Sequence, residues 1–126
     1  MKNEFVPYEE ALALKELGFD EECFKSYQSG KYGLGGQEYI QLMDVAYDDF
    51  IDLCHAPLYQ QAFRWFREKY GLVSHIKELA EGKYSYKIER WEDYSFSSIA
   101  VDSWEEARLD CLRKLIDIVK HHPLYF

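Results

Sequence analysis

The chain has 126 residues and 15.0 kDa, a length that fits one domain. Apolar residues make up 48% and charged residues 30%, so burial can offset the entropy lost on folding, which excludes global disorder. No apolar run approaches the roughly 20 residues of a membrane helix, and no signal-peptide core follows Met1. We therefore expect a soluble, cytoplasmic single domain over residues 1–126 without a membrane partner.

The formal net charge of −8 lies in the first half of the chain. Residues 1–55 hold four lysines against twelve acids, whereas residues 56–126 hold eleven of each sign. An acidic surface repels phosphate, so nucleic-acid and anionic-membrane binding are disfavoured. Four acids within nine residues form a solvated helix face or a candidate surface for a basic protein partner: Asp44, Asp48, Asp49 and Asp52.

The cysteines indicate free thiols in a reducing compartment. Cys23, Cys54 and Cys111 are odd in number and far apart, with no C-x-x-C pair. Cys54 precedes His55, but neighbours on a helix diverge by about 100° and are poorly placed to hydrogen-bond. No metalloprotease, hydrolase or calcium-loop motif is present, so we predict no catalytic, metal or cofactor residues. A site assembled only in the fold remains an alternative.

The first half of the chain is predicted to be helical. Pro7 suits the first position of a helix over residues 7–17, which Gly18 closes and on which Phe19 packs back. A second short helix is predicted over residues 20–27, with Asp20 as its cap.

A glycine-rich segment follows, with four glycines between Gly30 and Gly36. It predicts a flexible loop at about residues 29–36. Apolar residues then recur every three or four positions over residues 37–53, which favours an amphipathic helix. The aromatic and β-branched content of this segment leaves a strand open as the alternative.

The clearest helical pattern runs from Pro57 to Gly71, with Leu72 folding back after the cap. Trp65 falls on the flank of the apolar stripe beside Arg64, so we expect it to be partly exposed. The predicted buried stripe consists of Leu58, Ala62, Phe63, Phe66 and Tyr70.

From residue 72 the spacing of apolar residues changes from the helical pattern of every three or four positions to every second position. Residues 72–91 alternate around a turn at 80–83 and predict a β-hairpin, and 94–101 predict a third strand. Capping-box candidates at Asp102 and Ser103 begin a final helix. The predicted fold class is α+β: a helical N-terminal half, then α-β-β-(β)-α with a small antiparallel sheet covered by helices.

Two blocks of the sequence resemble a known group of proteins. The first runs from Phe5 to Phe24 and contains FVPYEEA and LGFDEECF, and the second, residues 56–72, reads APLYQQAFRWFREKYGL. They resemble uncharacterised short proteins of gut bacteria and their bacteriophages, which carry no assigned activity. The resemblance implies a phage or mobile-element accessory protein and supplies no catalytic or binding residues.

These patterns predict a non-enzymatic protein-binding or adaptor module. Tyrosine and tryptophan suit interfaces, and the acidic half suits a basic partner. The alternative is nucleic-acid binding by the basic, aromatic stretch 64–91, whose rings are candidates for stacking on bases. Besides the four aspartates, the candidate interaction residues are Arg64, Trp65, Tyr84, Tyr86 and Trp91.

Overall fold

The computed structural model describes residues 4–30, 40–44, 50–91 and 94–121. Backbone contacts divide the chain into two compact units, unit 1 (Met1–Gln61) and unit 2 (Ala62–Phe126). The elements in chain order are α1 (Tyr8–Glu16), β1 (Lys25–Gly30), β2 (Gln41–Met43), β3 (Phe50–Ala56), α2 (Tyr59–Tyr70), β4 (Val73–Glu78), β5 (Tyr84–Arg90), β6 (Tyr94–Ser97) and α3 (Trp104–His121). A single domain over residues 1–126 stays a prediction.

The predicted fold class is wrong in its arrangement. The α+β content is present, but the described part of the first half contains one short helix and three strands, and there are two small sheets among the described residues. Strand β1 overlaps the helix predicted at 20–27, and β2 and the first part of β3 lie inside the helix predicted at 37–53. Pairing of β1 with both neighbours outweighs the helical spacing, because local periodicity is a weaker determinant than cross-strand packing. The loop predicted at 29–36 lies, after Gly30, outside the described residues.

Unit 1 contains an antiparallel sheet in the order β2-β1-β3, with α1 packed against β3. The segment before α1 is joined to the end of β3, because the Val6 N–H donates to the Pro57 carbonyl at 2.8 Å. Helix α1 ends as the sequence predicts. Gly18 has φ 102°, and the Phe19 N–H returns to the Leu14 carbonyl at 3.0 Å. The buried Phe19 ring thus fixes the position of the turn that leaves the helix.

Helix α2 begins after Pro57 and ends at Gly71, whose φ is 71°. Its buried face differs from the predicted stripe. It consists of Tyr59, Ala62, Trp65 and Phe66, whereas Phe63 and Tyr70 are half-buried. The expectation that Trp65 is partly exposed is wrong, since only 6% of it is accessible. Ala62 and Phe66 belong to both sets, so the buried face is the predicted stripe turned towards Trp65.

Unit 2 contains an antiparallel meander in the order β4-β5-β6. Helix α3 packs on β4 and β5, on the face that carries Ile88 and its partner Phe96, and the Lys114 Nζ lies 4.2 Å from the centre of the Phe96 ring. Residues alternate across the sheet, so the opposite face carries polar side chains. The polar face consists of His75, Lys77, Ser85, Lys87, Glu89 and Ser97.

An irregular segment continues β6 along β5. The Ser98 N–H donates to the Tyr86 carbonyl, and Tyr84 then pairs with Val101. The segment after β6 therefore has two residues between these contacts where β5 has one, so it contains one extra residue. The extra residue pushes Ile99 outward to 84% exposure. Helix α3 starts directly afterwards.

Candidate functional site

A groove in unit 1 lies where the end of α1 and the following turn meet β3. Its volume is about 500 Å³, which is within the range of small-ligand and side-chain binding clefts. We call it the acidic groove. It is lined by Lys15, Gly18, Phe19, Asp20, Ser26, Asp52, Leu53, Cys54 and His55.

A β-bulge brings Asp52 and His55 to the same face of the sheet. In a regular strand two residues three positions apart would point to opposite faces. The pairing of β1 with β3 shifts between Tyr27 and Gln28, so that Ser26 lies opposite His55 and Gln28 opposite Asp52. Ser26 and Gln28 share a face, and therefore their two partners on β3 share it as well.

Ser26 fixes the carboxylate of Asp52. The Ser26 hydroxyl donates to the Asp52 Oδ1 at 3.2 Å and accepts a bond of 3.0 Å from the amide of Gln28, which is 1% exposed. A nucleophilic triad places the imidazole between the hydroxyl and the carboxylate, and here the hydroxyl bonds the carboxylate directly. The Ser26 hydroxyl thus orients the Asp52 carboxylate. That the protein is not an enzyme stays a prediction.

Lys15 places an ammonium group inside the acidic groove. Its Nζ donates a hydrogen bond of 2.8 Å to the carbonyl of Leu53, 38 residues away in sequence. Leu53 is the extra residue of the bulge and has no Cα partner on β1. The groove therefore combines two carboxylates, Asp20 and Asp52, with one resident cation and two apolar side chains, Phe19 and Leu53.

Cys54, which also lines this groove, is a buried residue. Burial raises its pKa to about 11, and the ammonium of Lys15 offsets part of that rise. The group therefore stays a thiol at neutral pH, which makes it a poor nucleophile and a poor metal ligand. Cys54 and His55 point to opposite faces because they are neighbours on a strand, rather than on the helix that the sequence predicts.

The two candidate acids that the structure describes, Asp44 and Asp52, do not lie on a helix. Asp44 is exposed directly after β2, and Asp52 is exposed on β3 within the acidic groove. Asp48 and Asp49 lie outside the described residues. Among the described residues of this segment, β2 and β3 take the place of the predicted helix.

Two of the candidate aromatic residues of unit 2 are separated from Lys87, whereas the Lys69 Nζ lies 5.0 Å from the centre of the Trp65 ring. Tyr86 is 8% exposed on the face that α3 covers, Tyr84 is half-buried on the same face, and Lys87 points to the opposite face. Trp91 is 80% exposed at the end of β5, and Arg64 is exposed on α2. The two-residue period of β5 thus separates the rings of Tyr84 and Tyr86 from Lys87, whereas the Arg90 guanidinium lies 5.7 Å from the centre of the Trp91 ring.

No protein-family model, curated protein or solved structure matches this chain. Within the described ranges, no cluster of three or more His, Cys, Asp or Glu side chains is arranged to hold a metal ion. No helix in the part of the chain that the structure describes is both long and apolar enough to cross a membrane.

Most residues of the acidic groove were not candidates from the sequence. Only Asp52 was, whereas Lys15, Phe19 and Asp20 come from the end of α1 and the turn after it, and Ser26 comes from β1. The one local signal is the helix ending at Gly18, which predicts the inward position of Phe19. The bulge that completes the groove has no signature in the sequence of β3.

Proposed function

We propose that the protein is a non-enzymatic binding module whose acidic groove receives a basic segment of a partner protein. The observation that carries this proposal is the presence of two carboxylates and two apolar side chains in one groove. Long basic side chains combine an apolar stem with a charged head, so they match both kinds of lining. A solvated acidic surface without apolar side chains would contact only the charged head of a Lys or Arg side chain and leave its apolar stem in water.

The charge distribution supports the same partner. The whole excess of negative charge lies in residues 1–55, the part that forms most of unit 1. A field of this sign attracts basic segments over distances comparable to the Debye length, about 8 Å at physiological salt. The groove then supplies the short-range contacts, with the Asp52 carboxylate held by Ser26.

The cytoplasmic location belongs to the same proposal. Cys23, Cys54 and Cys111 are all free, as expected for a protein of a reducing compartment. The phage or mobile-element context implied by the resemblance stays a prediction. The nucleic-acid alternative is weakened because the rings of Tyr84 and Tyr86 lie on the covered face of the second sheet, away from Lys87.

The test measures binding of defined peptides by fluorescence polarisation. The probe is a labelled peptide in which Lys and Arg alternate with Val, and its counterpart has Glu at every basic position. The site variant is Asp20→Asn with Asp52→Asn, in which the amide of residue 52 keeps an acceptor for Ser26. The control, Glu16→Gln with Glu68→Gln, changes the net charge equally outside the groove.

We expect the basic peptide to bind the natural protein and the control alike. The site variant should bind about tenfold or more weakly, since each ion pair contributes up to about 1 kcal/mol. Equal weakening in the control would assign binding to net charge and contradict the groove. Failure of the basic peptide to bind the natural protein would reject the proposed function.

A further inference from the structure

We propose that the group received by the acidic groove is an arginine guanidinium, and that the side chain of Lys15 is a tethered cation which the guanidinium displaces. This inference rests on the proposed function and names the chemistry of its ligand. The observation that carries it is the hydrogen bond between Lys15 and the bulge residue Leu53.

The Leu53 carbonyl is a natural acceptor for a cation. Because Leu53 is the extra residue of the bulge, it has no partner position on β1, and Lys15 supplies its hydrogen bond at 2.8 Å. Lys15 is exposed in the last turn of α1, so its flexible stem can carry the ammonium away without disturbing a packed side chain. The resident ammonium shows that this position accepts a positive charge.

The remaining acceptors fit a guanidinium better than a second ammonium. A guanidinium presents five donors in a planar fork and can bond a carboxylate with two parallel hydrogen bonds, whereas an ammonium is a compact point charge. The acidic groove offers the carboxylates of Asp20 and Asp52 together with the Leu53 carbonyl. Its apolar side chains also favour the guanidinium, which is more weakly hydrated than an ammonium.

Lys15 then acts as an internal competitor. Its charge opposes an incoming cation, and its hydrogen bond occupies the Leu53 carbonyl. Replacing it with a neutral side chain leaves the two carboxylates without their resident cation. The affinity for a guanidinium should therefore rise, which is the opposite of the usual effect of removing a side chain from a binding site.

The experiment uses two labelled peptides that alternate Val with Arg only or with Lys only. They are titrated into the natural protein, Lys15→Met, Lys15→Gln and a control, Lys77→Met, which removes the same charge from unit 2. Circular dichroism verifies that each variant is folded, and the two Lys15 variants guard against an effect of the methionine itself. The Leu53 carbonyl ¹³C shift reports on the hydrogen bond that is exchanged.

We expect the Arg peptide to bind the natural protein about fivefold or more tightly than the Lys peptide. Both Lys15 variants should bind the Arg peptide several-fold more tightly than the control does, and the Leu53 carbonyl shift should move on binding. Equal affinity for the two peptides would overturn the arginine preference while leaving the proposed function intact. Unchanged or weaker binding by the Lys15 variants would overturn the displacement, and no binding of either peptide would reject both proposals.

Discussion

The hydroxyl of Tyr27 donates a 2.6 Å hydrogen bond to the backbone carbonyl of Val6. Tyr27 lies on the central strand of the first sheet, and Val6 is fully buried in the segment that leads into α1. The N–H of Val6 is bonded to Pro57, so both of its backbone polar groups are satisfied. This one phenol therefore joins the first sheet to the segment that precedes α1.

Replacement of Tyr27 by Phe should lower the free energy of unfolding by about 1–2 kcal/mol, because the buried Val6 carbonyl loses its donor. Urea unfolding followed by far-ultraviolet circular dichroism measures the change. Tyr94→Phe removes the same atom from unit 2 and serves as the control. A Tyr27 variant no less stable than the control would show that the contact contributes nothing.

Stability should fall steeply in alkaline solution. Burial raises the pKa of Tyr27 and Tyr86 from 10.0 to about 12, and that of the Cys23 and Cys54 thiols from 9.0 to about 11. Well below pH 9 both the folded and the unfolded chain keep the protons of these four groups. Above it the unfolded chain releases them first, so the free energy of unfolding decreases as pH rises towards 12.

The measurement for this prediction is the urea midpoint at about pH 8 and about pH 10.5, where proton release differs between the two states. Tyr27→Phe removes one of the groups and should reduce the dependence on pH. A midpoint that is the same at both pH values would contradict the burial of these groups.

Gly71→Ala should destabilise the protein by about 1 kcal/mol, because Gly71 has φ 71° and an L side chain is strained there. Space is not the cause, since an added Cβ would lie 3.7 Å from the Trp91 ring. Gly30→Ala is the matched control, as no positive φ is required there and no described heavy atom lies within 4 Å. Thermal unfolding should give a lower melting temperature for Gly71→Ala than for Gly30→Ala. Equal melting temperatures would contradict backbone strain at Gly71.

Ser103→Ala should cost about 1 kcal/mol, because the Ser103 Oγ accepts the N–H of Glu106 at 3.1 Å and caps α3. Glu106 returns the interaction by accepting the Asp102 N–H at 3.4 Å. Ser103→Asp keeps an acceptor at the cap and should retain most of the stability. Chemical denaturation monitored by tryptophan fluorescence compares the two, and an alanine variant as stable as the aspartate variant would refute the cap.

Helix boundaries were the part of the fold that the sequence predicted best. Gly18 and Gly71 close α1 and α2, and Ser103 caps α3, each within a few residues of the expected position. These signals are local, because a cap is made by backbone groups of the same turn. They do not depend on where the rest of the chain lies.

The first sheet and its groove were not predictable in the same way. The spacing of Tyr39, Met43 and Phe50 is helical, and only pairing with β1 shows that the described part of this segment is extended. The contact between Lys15 and Leu53 spans 38 residues. The periodicity of apolar residues predicts which face of one element is buried. The acidic groove depends instead on the register of β1 and β3 and on where that register shifts.

The outward position of Ile99 has a consequence for the behaviour of the protein at high concentration. β6 is an outer strand of only four residues, and the added residue after Ser98 breaks the regular spacing of its backbone. A foreign strand that docks on this edge would lose register almost at once. The bulge therefore disfavours sheet extension between molecules, the first step of amyloid-like assembly, at this edge of the meander.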